Sequence, residues 1–374
     1  MAKDKEINAL GLMSGTSADG LSIALCSIPL REKALKVTGY RTYPYAAAVQ
    51  KRILAAKSAG VAELSALNFE LGRLWAGMVR RFCREYKAAY KNISVIGSHG
   101  QTVYHRPGAL GSTLQIGEPS FIAEETGRPV VADFRPADMA AGGEGAPLIP
   151  FLDEYLFGGG RPAALQNIGG VGNIAFVGKG VRTSGFDTGP GNSLMDTAVS
   201  MLTSGKKTYD AGGRRAAAGR IDYAKVEKLL ELPFFALKPP KSLDRDEFSA
   251  DFIEKRFGRL NSKNGCDVLA TLNYFTAAAI GLAFKKFAPK GTRELIVSGG
   301  GALNPVLMRN IASALPGINV KSVAELGIDP LAKEPACFAL LAWLAFSGRS
   351  NHCPSATGAR GRRVLGKLLL SEHF

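Results

Sequence analysis

Ile7-Asn-Ala-Leu-Gly-Leu-Met13, Ser14-Gly-Thr-Ser-Ala-Asp-Gly20 and Leu21-Ser-Ile-Ala-Leu-Cys-Ser-Ile28 follow one another near the N-terminus, and the fold is read from how they join. Two apolar runs flank a short stretch of small and polar residues, the pattern of a β-hairpin closed by a glycine-containing turn. A similar arrangement restarts at mid-chain. Ala163–Asn167, Asn173–Val177 and Val181–Phe186 read as strands around Gly169-Gly-Val-Gly172. Helical patterns follow each strand group. Leu64, Leu67, Leu71, Leu74, Trp75, Met78, Val79 and Phe82 recur at helical spacing within 61–91, ahead of strands at Ile93–Ser98 and Val130–Phe134. In the second half, helices are expected over 192–203, 222–231, 248–260, 267–287, Pro305–Leu315 and 334–347, with a strand at Glu294–Ser298. Strands about a glycine-rich turn followed by helices, twice over, predict two α/β lobes with a cleft between them.

A chain of 374 residues suits two domains, and 46% hydrophobic against 21% charged residues excludes disorder. No run reaches the roughly 18 apolar residues of a membrane span, and the N-terminus lacks a signal peptide's apolar region. The cytoplasm is the expected compartment, with no membrane partner. Cys26, Cys83, Cys266, Cys337 and Cys353 are too far apart for metal or redox spacing, so reduced thiols are expected. The net charge of +15 raises the question of nucleic acid. The basic residues are spread out, however, without interleaved aromatics or a recognition motif. No specific nucleic-acid partner is expected, and attraction for an anionic small molecule fits the same charge.

Four loops have the composition of phosphate cradles, in which small residues let backbone N–H groups approach an anion: Met13–Gly20, Gly169–Gly172, Asp187–Asn192 and Gly299–Ala302. One such loop would be an ordinary turn; four beside strands point to nucleotide or phosphate handling. Two other glycine patterns fall away. Gly361–Leu368 approaches a Walker A loop but has Leu368 in place of the metal-binding hydroxyl, and Gly170–Ala175 leads into a strand. Gly299-Gly-Gly301 follows a strand, yet no acid lies about 20 residues on to hold a ribose as in dehydrogenases. Zinc spacing and a serine-hydrolase elbow are both absent. Asp187, at the end of a strand segment, reads either as a general base or as the N-cap of the next helix. Asp19 is a turn residue or a group near a Mg–phosphate, and His99 reads as a loop residue facing a ligand or as a structural histidine.

The sequence resembles the anhydro-N-acetylmuramic acid kinase family. The motifs are Gly11–Gly20, Gly97-Ser-His-Gly-Gln-Thr-Val103, Leu114–Pro119, Val130–Asp138 running on to Gly142–Pro147, Asn167–Gly170, Gly185–Asn192, Pro240-Lys-Ser242, Asp267–Leu272, Gly299–Pro305 and Pro354–Gly358. The resemblance implies an actin-like ATPase fold, here expected as an N-terminal lobe over 1–140 joined by 359–374 and a C-terminal lobe over 141–358. It implies a kinase that phosphorylates O6 of 1,6-anhydro-N-acetylmuramic acid while water opens the anhydro bridge. ATP and Mg²⁺ are the implied cofactors, with a possible homodimer.

By this resemblance Asp187 is the catalytic base. Gly15, Thr16, Ser17, Ala18, Asp19, Gly20, Leu21 and Ser22 form an ATP-binding segment, and Gly189, Gly191, Asn192, Gly299, Gly300 and Gly301 are further nucleotide contacts. Ser14, His99 and Gln101 are substrate candidates, and Arg135 suits the lactyl carboxylate because a guanidinium fork matches it. Glu334 matches a family acid near the metal–nucleotide or the sugar. Two departures stand out: Ser22 replaces the family's usual Asp, and Pro240-Lys-Ser-Leu-Asp-Arg245 replaces Lys-Ser-Thr-Gly-Arg. The alternatives are a kinase of another anhydro sugar such as levoglucosan, or a non-catalytic sugar- or nucleotide-binding protein.

Overall fold

Leu10, Leu12, Leu21 and Ile23 fall in one hydrophobic cluster while Ala9, Ala24, Cys26 and Ile28 fall in another. This is the period-two alternation of strands buried on both faces. The structure is a computed structural model and describes residues 6–108, 111–239, 241–243 and 248–371. The chain divides into two units, Met1–Leu156 with Gly327–Phe374, and Phe157–Leu326.

In the first unit the expected hairpin is present as β1 (Glu6–Ser14) and β2 (Gly20–Pro29), paired from Glu6↔Pro29 to Ser14↔Leu21. β3 (Lys36–Pro44) continues the meander, and β4 (Ile93–Arg106) lies parallel to β1. β5 (Ser112–Ile116) pairs with β4, β6 (Val130–Ala132) lies parallel to it, and β12 (Lys367–Leu369) closes the edge. The main order is β12-β6-β4-β1-β2-β3. The helix Val61–Glu85 covers one face of this sheet through Leu67, Leu71, Trp75, Val79 and Phe82. Lys333–Phe346 covers the other. That helix lies against the sheet at two glycines: a Cβ on Gly11 would meet Pro335 O at 1.8 Å, and one on Gly97 would meet Phe338 O at 2.1 Å. Its contacts with β1, β2 and β4 place it in the first unit. The unit boundaries therefore differ from those expected at 140 and 358.

The second unit is built from β7 (Ala163–Ile168), β8 (Val171–Val177), β9 (Ser184–Pro190), β10 (Glu294–Ser298) and β11 (Asn319–Ser322), in the order β11-β10-β7-β8-β9. β7, β8 and β9 form an antiparallel meander, while β10 is parallel to both β7 and β11. The first unit repeats this plan as β6-β4-β1-β2-β3. Two α/β units with one shared strand order carry the actin-like fold. The helix Gly265–Phe287 has the length and apolar character of a membrane span, but 78% of its apolar window is buried within the protein. Phe275, Ile280 and Phe284 pack there against Phe176, Leu295 and Val297 in the core of the second unit.

Two expected strands end elsewhere. β4 runs past Ser98 through His99 and Gln101, and β9 begins at Ser184 and includes Asp187. His99 is therefore a strand residue, 3% exposed, and not part of a loop.

Candidate functional site

In the first unit, the turn after β1 is stiffened by Ala18 N–H donating to Gly15 O at 3.0 Å. Ser14 and Gln101 lie beneath it, each 1% exposed. The Ser14 hydroxyl donates to Gln101 Oε1 at 2.6 Å, and Gln101 Nε2 donates to Gly15 O at 3.1 Å. Ser14 Oγ also lies 2.8 Å from the Tyr45 hydroxyl, which accepts from Trp75 Nε1 at 2.9 Å. Burial raises the Tyr45 hydroxyl's pKa to about 12, so it stays a neutral donor. Two of the expected substrate candidates, Ser14 and Gln101, are thus joined in a buried chain that supports the glycine turn. Tyr45 and Trp75, unread in the sequence, complete it. Above this chain Thr16, Ser17 and Asp19 are exposed. Asp19 Oδ1 accepts from Gln50 Nε2 at 3.2 Å.

Ser22, where the resemblance led to the expectation of an acid, is 2.8 Å from Thr42 Oγ1, which is in turn 2.8 Å from the Tyr40 hydroxyl. Its hydroxyl joins β2 to β3, which is a bracing contact.

Arg135 heads a second group. It lies in the helix Phe134–Ala140, where its Nη1 donates to Gly145 O at 2.7 Å. Its Nε and Nη2 lie 3.2 and 2.8 Å from His99 Nε2. His99 Nδ1 is 2.8 Å from Gly100 O. An Nδ1–H tautomer satisfies both sides, donating to Gly100 O and accepting from Arg135. Burial, then the nearby guanidinium, depress the His99 pKa to about 3, so the ring is neutral. Burial also lowers the Arg135 pKa to about 10, while Glu334 and Asp138 oppose that loss; it remains a cation. Glu334, in the first turn of Lys333–Phe346, is held above the usual carboxylate range by burial, against the pull of Lys333 and Arg135. Lys333 forms a buried pair with Asp153 at 2.8 Å. A cavity of about 400 Å³ adjoins His99, lined also by Ser98, Gln115, Glu118 and Lys367. The buried Ser98 Oγ has no hydrogen-bond partner among the described residues.

In the second unit, three glycine turns meet at the ends of β7, β9 and β10. Gly191 N and Asn192 N donate to Gly170 O and Gly169 O, both at 2.8 Å. Asn192 Nδ2 donates to Ile168 O at 3.2 Å, and a Cβ on Gly300 would sit 3.4 Å from the same Nδ2. Gly191 tolerates no side chain, because a Cβ there would meet Gly169 O at 2.3 Å. Thr276, from the core helix, donates to Pro190 O and Gly191 O and anchors the turn from below. Gly189, Gly191, Asn192 and Gly299–Gly301 are thus brought together.

Asp187 pairs with Asn173 across β8–β9, five residues before the N-cap Asn192, so it is not the helix cap. Its Oδ2 accepts from Leu243 N at 2.8 Å, and its own N–H donates to Lys241 O at 3.0 Å. The 241–243 segment therefore holds the acid. Pro240, Asp244 and Arg245 of the altered loop lie outside the described residues. Lys241 is itself buried, with its ammonium 4.3 Å over the Phe234 ring. Sequence reasoning missed Asp196, one turn into Ser193–Leu202, whose carboxyl burial raises to about 7. His352, which supported no expectation, forms a buried pair with Asp138.

Two units of one mixed α/β topology, each with glycine turns at strand ends, define an actin-like protein with the architecture of a nucleotide-binding enzyme. The family model for anhydro-N-acetylmuramic acid kinase matches residues 7–371, and the chain belongs to that family. Relatives named anhydro-N-acetylmuramic acid kinase include one from Caldanaerobacter subterraneus, 36% identical over 96% of each chain. Another, from Streptomyces coelicolor, is 40% identical over 97% of this chain and 93% of its own. A third, from Acaryochloris marina, is 40% identical over 97% of this chain and 100% of its own. Among solved structures, component A of an Acidaminococcus fermentans (R)-2-hydroxyglutaryl-CoA dehydratase aligns over 90% of this chain and 98% of its own, at 12% identity and TM-score 0.44. A Streptomyces griseus ROK family glucokinase aligns over 90% and 99%, at 12% identity and TM-score 0.38. At such scores the shared strand order, not these alignments, carries the fold.

Proposed function

We propose that the protein is an ATP-dependent kinase of 1,6-anhydro-N-acetylmuramic acid that opens the anhydro bridge and yields N-acetylmuramic acid 6-phosphate and ADP. Asp187 takes a proton from water, and the water oxygen bonds to C1. The C1–O6 bond breaks, and O6 takes the γ-phosphoryl group as ADP leaves. One carboxylate thus serves both events, while positioning and charge stabilisation supply the rest. The nucleotide is assigned to Gly15–Ser22 and to the turns at Gly189–Asn192 and Gly299–Gly301, and the sugar to the group around Arg135, His99 and Glu334.

The observation that carries the muramyl reading is Arg135. Three of its five N–H groups are engaged by His99 and Gly145, leaving, among the described residues, one on each terminal nitrogen in a partly buried setting. Glu334 and Asp138 offset its charge only from a distance, and a carboxylate matches the remaining fork. Levoglucosan, which has no carboxylate, would leave it unmatched.

Mg²⁺ fits the exposed Asp19 better than Glu334. Asp19 is a hard oxygen donor, whereas Glu334 is bracketed by Lys333 and Arg135. No cluster of three metal-ligating side chains occurs among the described residues, as suits an ion held largely by phosphates and water. When bound, the ion would neutralise phosphate charge. Glu334 is assigned to the sugar side. A cytoplasmic homodimer completes the proposal, its assembly checked by sedimentation.

The test is incubation with ATP, Mg²⁺ and the anhydro sugar in ¹⁸O-water, read by mass spectrometry. One heavy oxygen at C1 of a phosphorylated product is expected. Asp187→Asn should lower kcat by about a thousandfold with the KM for ATP little changed. Product without heavy oxygen at C1, or full turnover by Asp187→Asn, would sink the mechanism.

A further inference from the structure

We infer that Asp138 is a positioning residue for substrate-anion recognition, fixing the loop whose Gly145 carbonyl aims the Arg135 guanidinium. This rests on the reading of Arg135 as the carboxylate partner. Arg135 and Asp138 lie three residues apart on the helix Phe134–Ala140. Asp138 is fully buried, and its Oδ2 accepts from Gly145 N at 2.6 Å. The carbonyl of the same Gly145 accepts from Arg135 Nη1 at 2.7 Å. Helix and loop thus form a closed ring, in which a shift of Gly145 away from Asp138 also shifts the acceptor that orients the guanidinium.

The loop wraps the carboxylate closely. A Cβ on Gly143 would sit 2.3 Å from Asp138 Oδ2, and Gly143 N–H donates to Asp138 O at 3.0 Å. The other carboxylate oxygen accepts from Thr357 Oγ1 at 2.6 Å and meets His352 Nε2. Glu144 N–H donates to Thr357 O at 2.8 Å, so the 354–357 segment braces the loop from its far side. Burial alone would raise the Asp138 pKa, yet its bonds to His352, Thr357 and Gly145 hold it below the usual carboxylate range. Among the described residues Asp138 forms no ion pair with Arg135. Its charge supports the guanidinium without occupying the N–H groups that a substrate carboxylate needs.

Two variants separate positioning from general support of the fold. Asp138→Asn perturbs both sides of the carboxylate, whereas Thr357→Val removes one bond to Oδ1 and leaves the Gly145 bond intact. For the muramyl sugar, Asp138→Asn should raise KM about tenfold with kcat within about twofold. For 1,6-anhydro-N-acetylglucosamine, which lacks the lactyl carboxylate, KM (or Ki if it is not turned over) should stay unchanged. Thr357→Val should lower the melting temperature with neither constant altered. Equal rises for the two sugars, or an unchanged muramyl KM in folded Asp138→Asn, would overturn the inference.

A second readout needs no turnover. In the ligand-free protein the Arg135 Nη1–H resonance, the group held by Gly145 O, should be sharp and slowly exchanging in wild type and Thr357→Val, and lost in Asp138→Asn. Its persistence in Asp138→Asn would also overturn the inference. A wild type that turns over neither sugar would sink the kinase reading alone, with this resonance still deciding the role of Asp138.

Discussion

Asp196 and His99 show how burial sets the charge of single residues, with opposite consequences for pH. The Asp196 carboxyl forms no side-chain hydrogen bond or ion pair among the described residues, and burial raises it from 3.8 to about 7. Between those values the folded chain keeps a proton that the unfolded chain has lost, so stability falls as pH rises through the window and stays lowered above it. Asp196→Asn should therefore raise stability over wild type at pH 8 by about 1–2 kcal/mol, and by less at pH 4.5, in urea unfolding. His99 runs the other way. Its pKa falls from 6.5 to about 3, so below 6.5 the unfolded chain binds a proton that the folded chain refuses. Stability drops on acidification, and His99→Gln should flatten that limb by about 1 kcal/mol per pH unit. Because the variant also loses the Arg135 contacts, the slope is the measurement, not the absolute stability. Neither shift is legible in the sequence. His99 lies among Gly97, Ser98 and Gly100, small and polar neighbours that suggest a loop; only the helix pressed against Gly97 shows them to be buried strand.

Elements with strong local patterning were readable: the hairpin of β1 and β2, the helix Val61–Glu85, β10 and the core helix Gly265–Phe287 each have a clear period or a bounded apolar run. β3 was missed because Lys36–Pro44 mixes Gly, Arg and Thr, and its pairing with β2 supplies what its own composition lacks. β9 was placed too early because pairing with β8 carries the strand through Asp187, where glycines suggested a turn. The site divides in the same way. The glycine turns and Asp187 of the candidate site are picked out by motif, while Tyr45 and Trp75 act through contacts 30 residues apart. Their importance can be measured. Tyr45→Phe removes the partner shared by Ser14 and Trp75 in a buried setting and should cost about 1–3 kcal/mol in denaturant unfolding. An unchanged midpoint would show that the support beneath the glycine turn resides in Gln101 alone.

At the scale of the whole molecule, the two units share a strand order that no short sequence repeat announces, because order within a sheet is set by long-range pairing. What the units share in function is best tested through ligand linkage. A ligand that binds only the folded state stabilises it by about 2.7 kcal/mol at a hundred times its dissociation constant, which for a chain of this length raises the melting temperature by about 3 °C. A non-hydrolysable ATP analogue with Mg²⁺ should produce a shift of that order. Asp187→Asn should keep it, since the acid is assigned to the attacking water and not to the nucleotide. Gly191→Val should lose it, because a Cβ at that position collides with Gly169 O and opens the turn. Removing Mg²⁺ with EDTA should reduce the shift, and restoring the metal should recover it. Retention of the full shift by folded Gly191→Val would remove the second unit's glycine turns from nucleotide binding and leave Gly15–Ser22 as the segment to pursue.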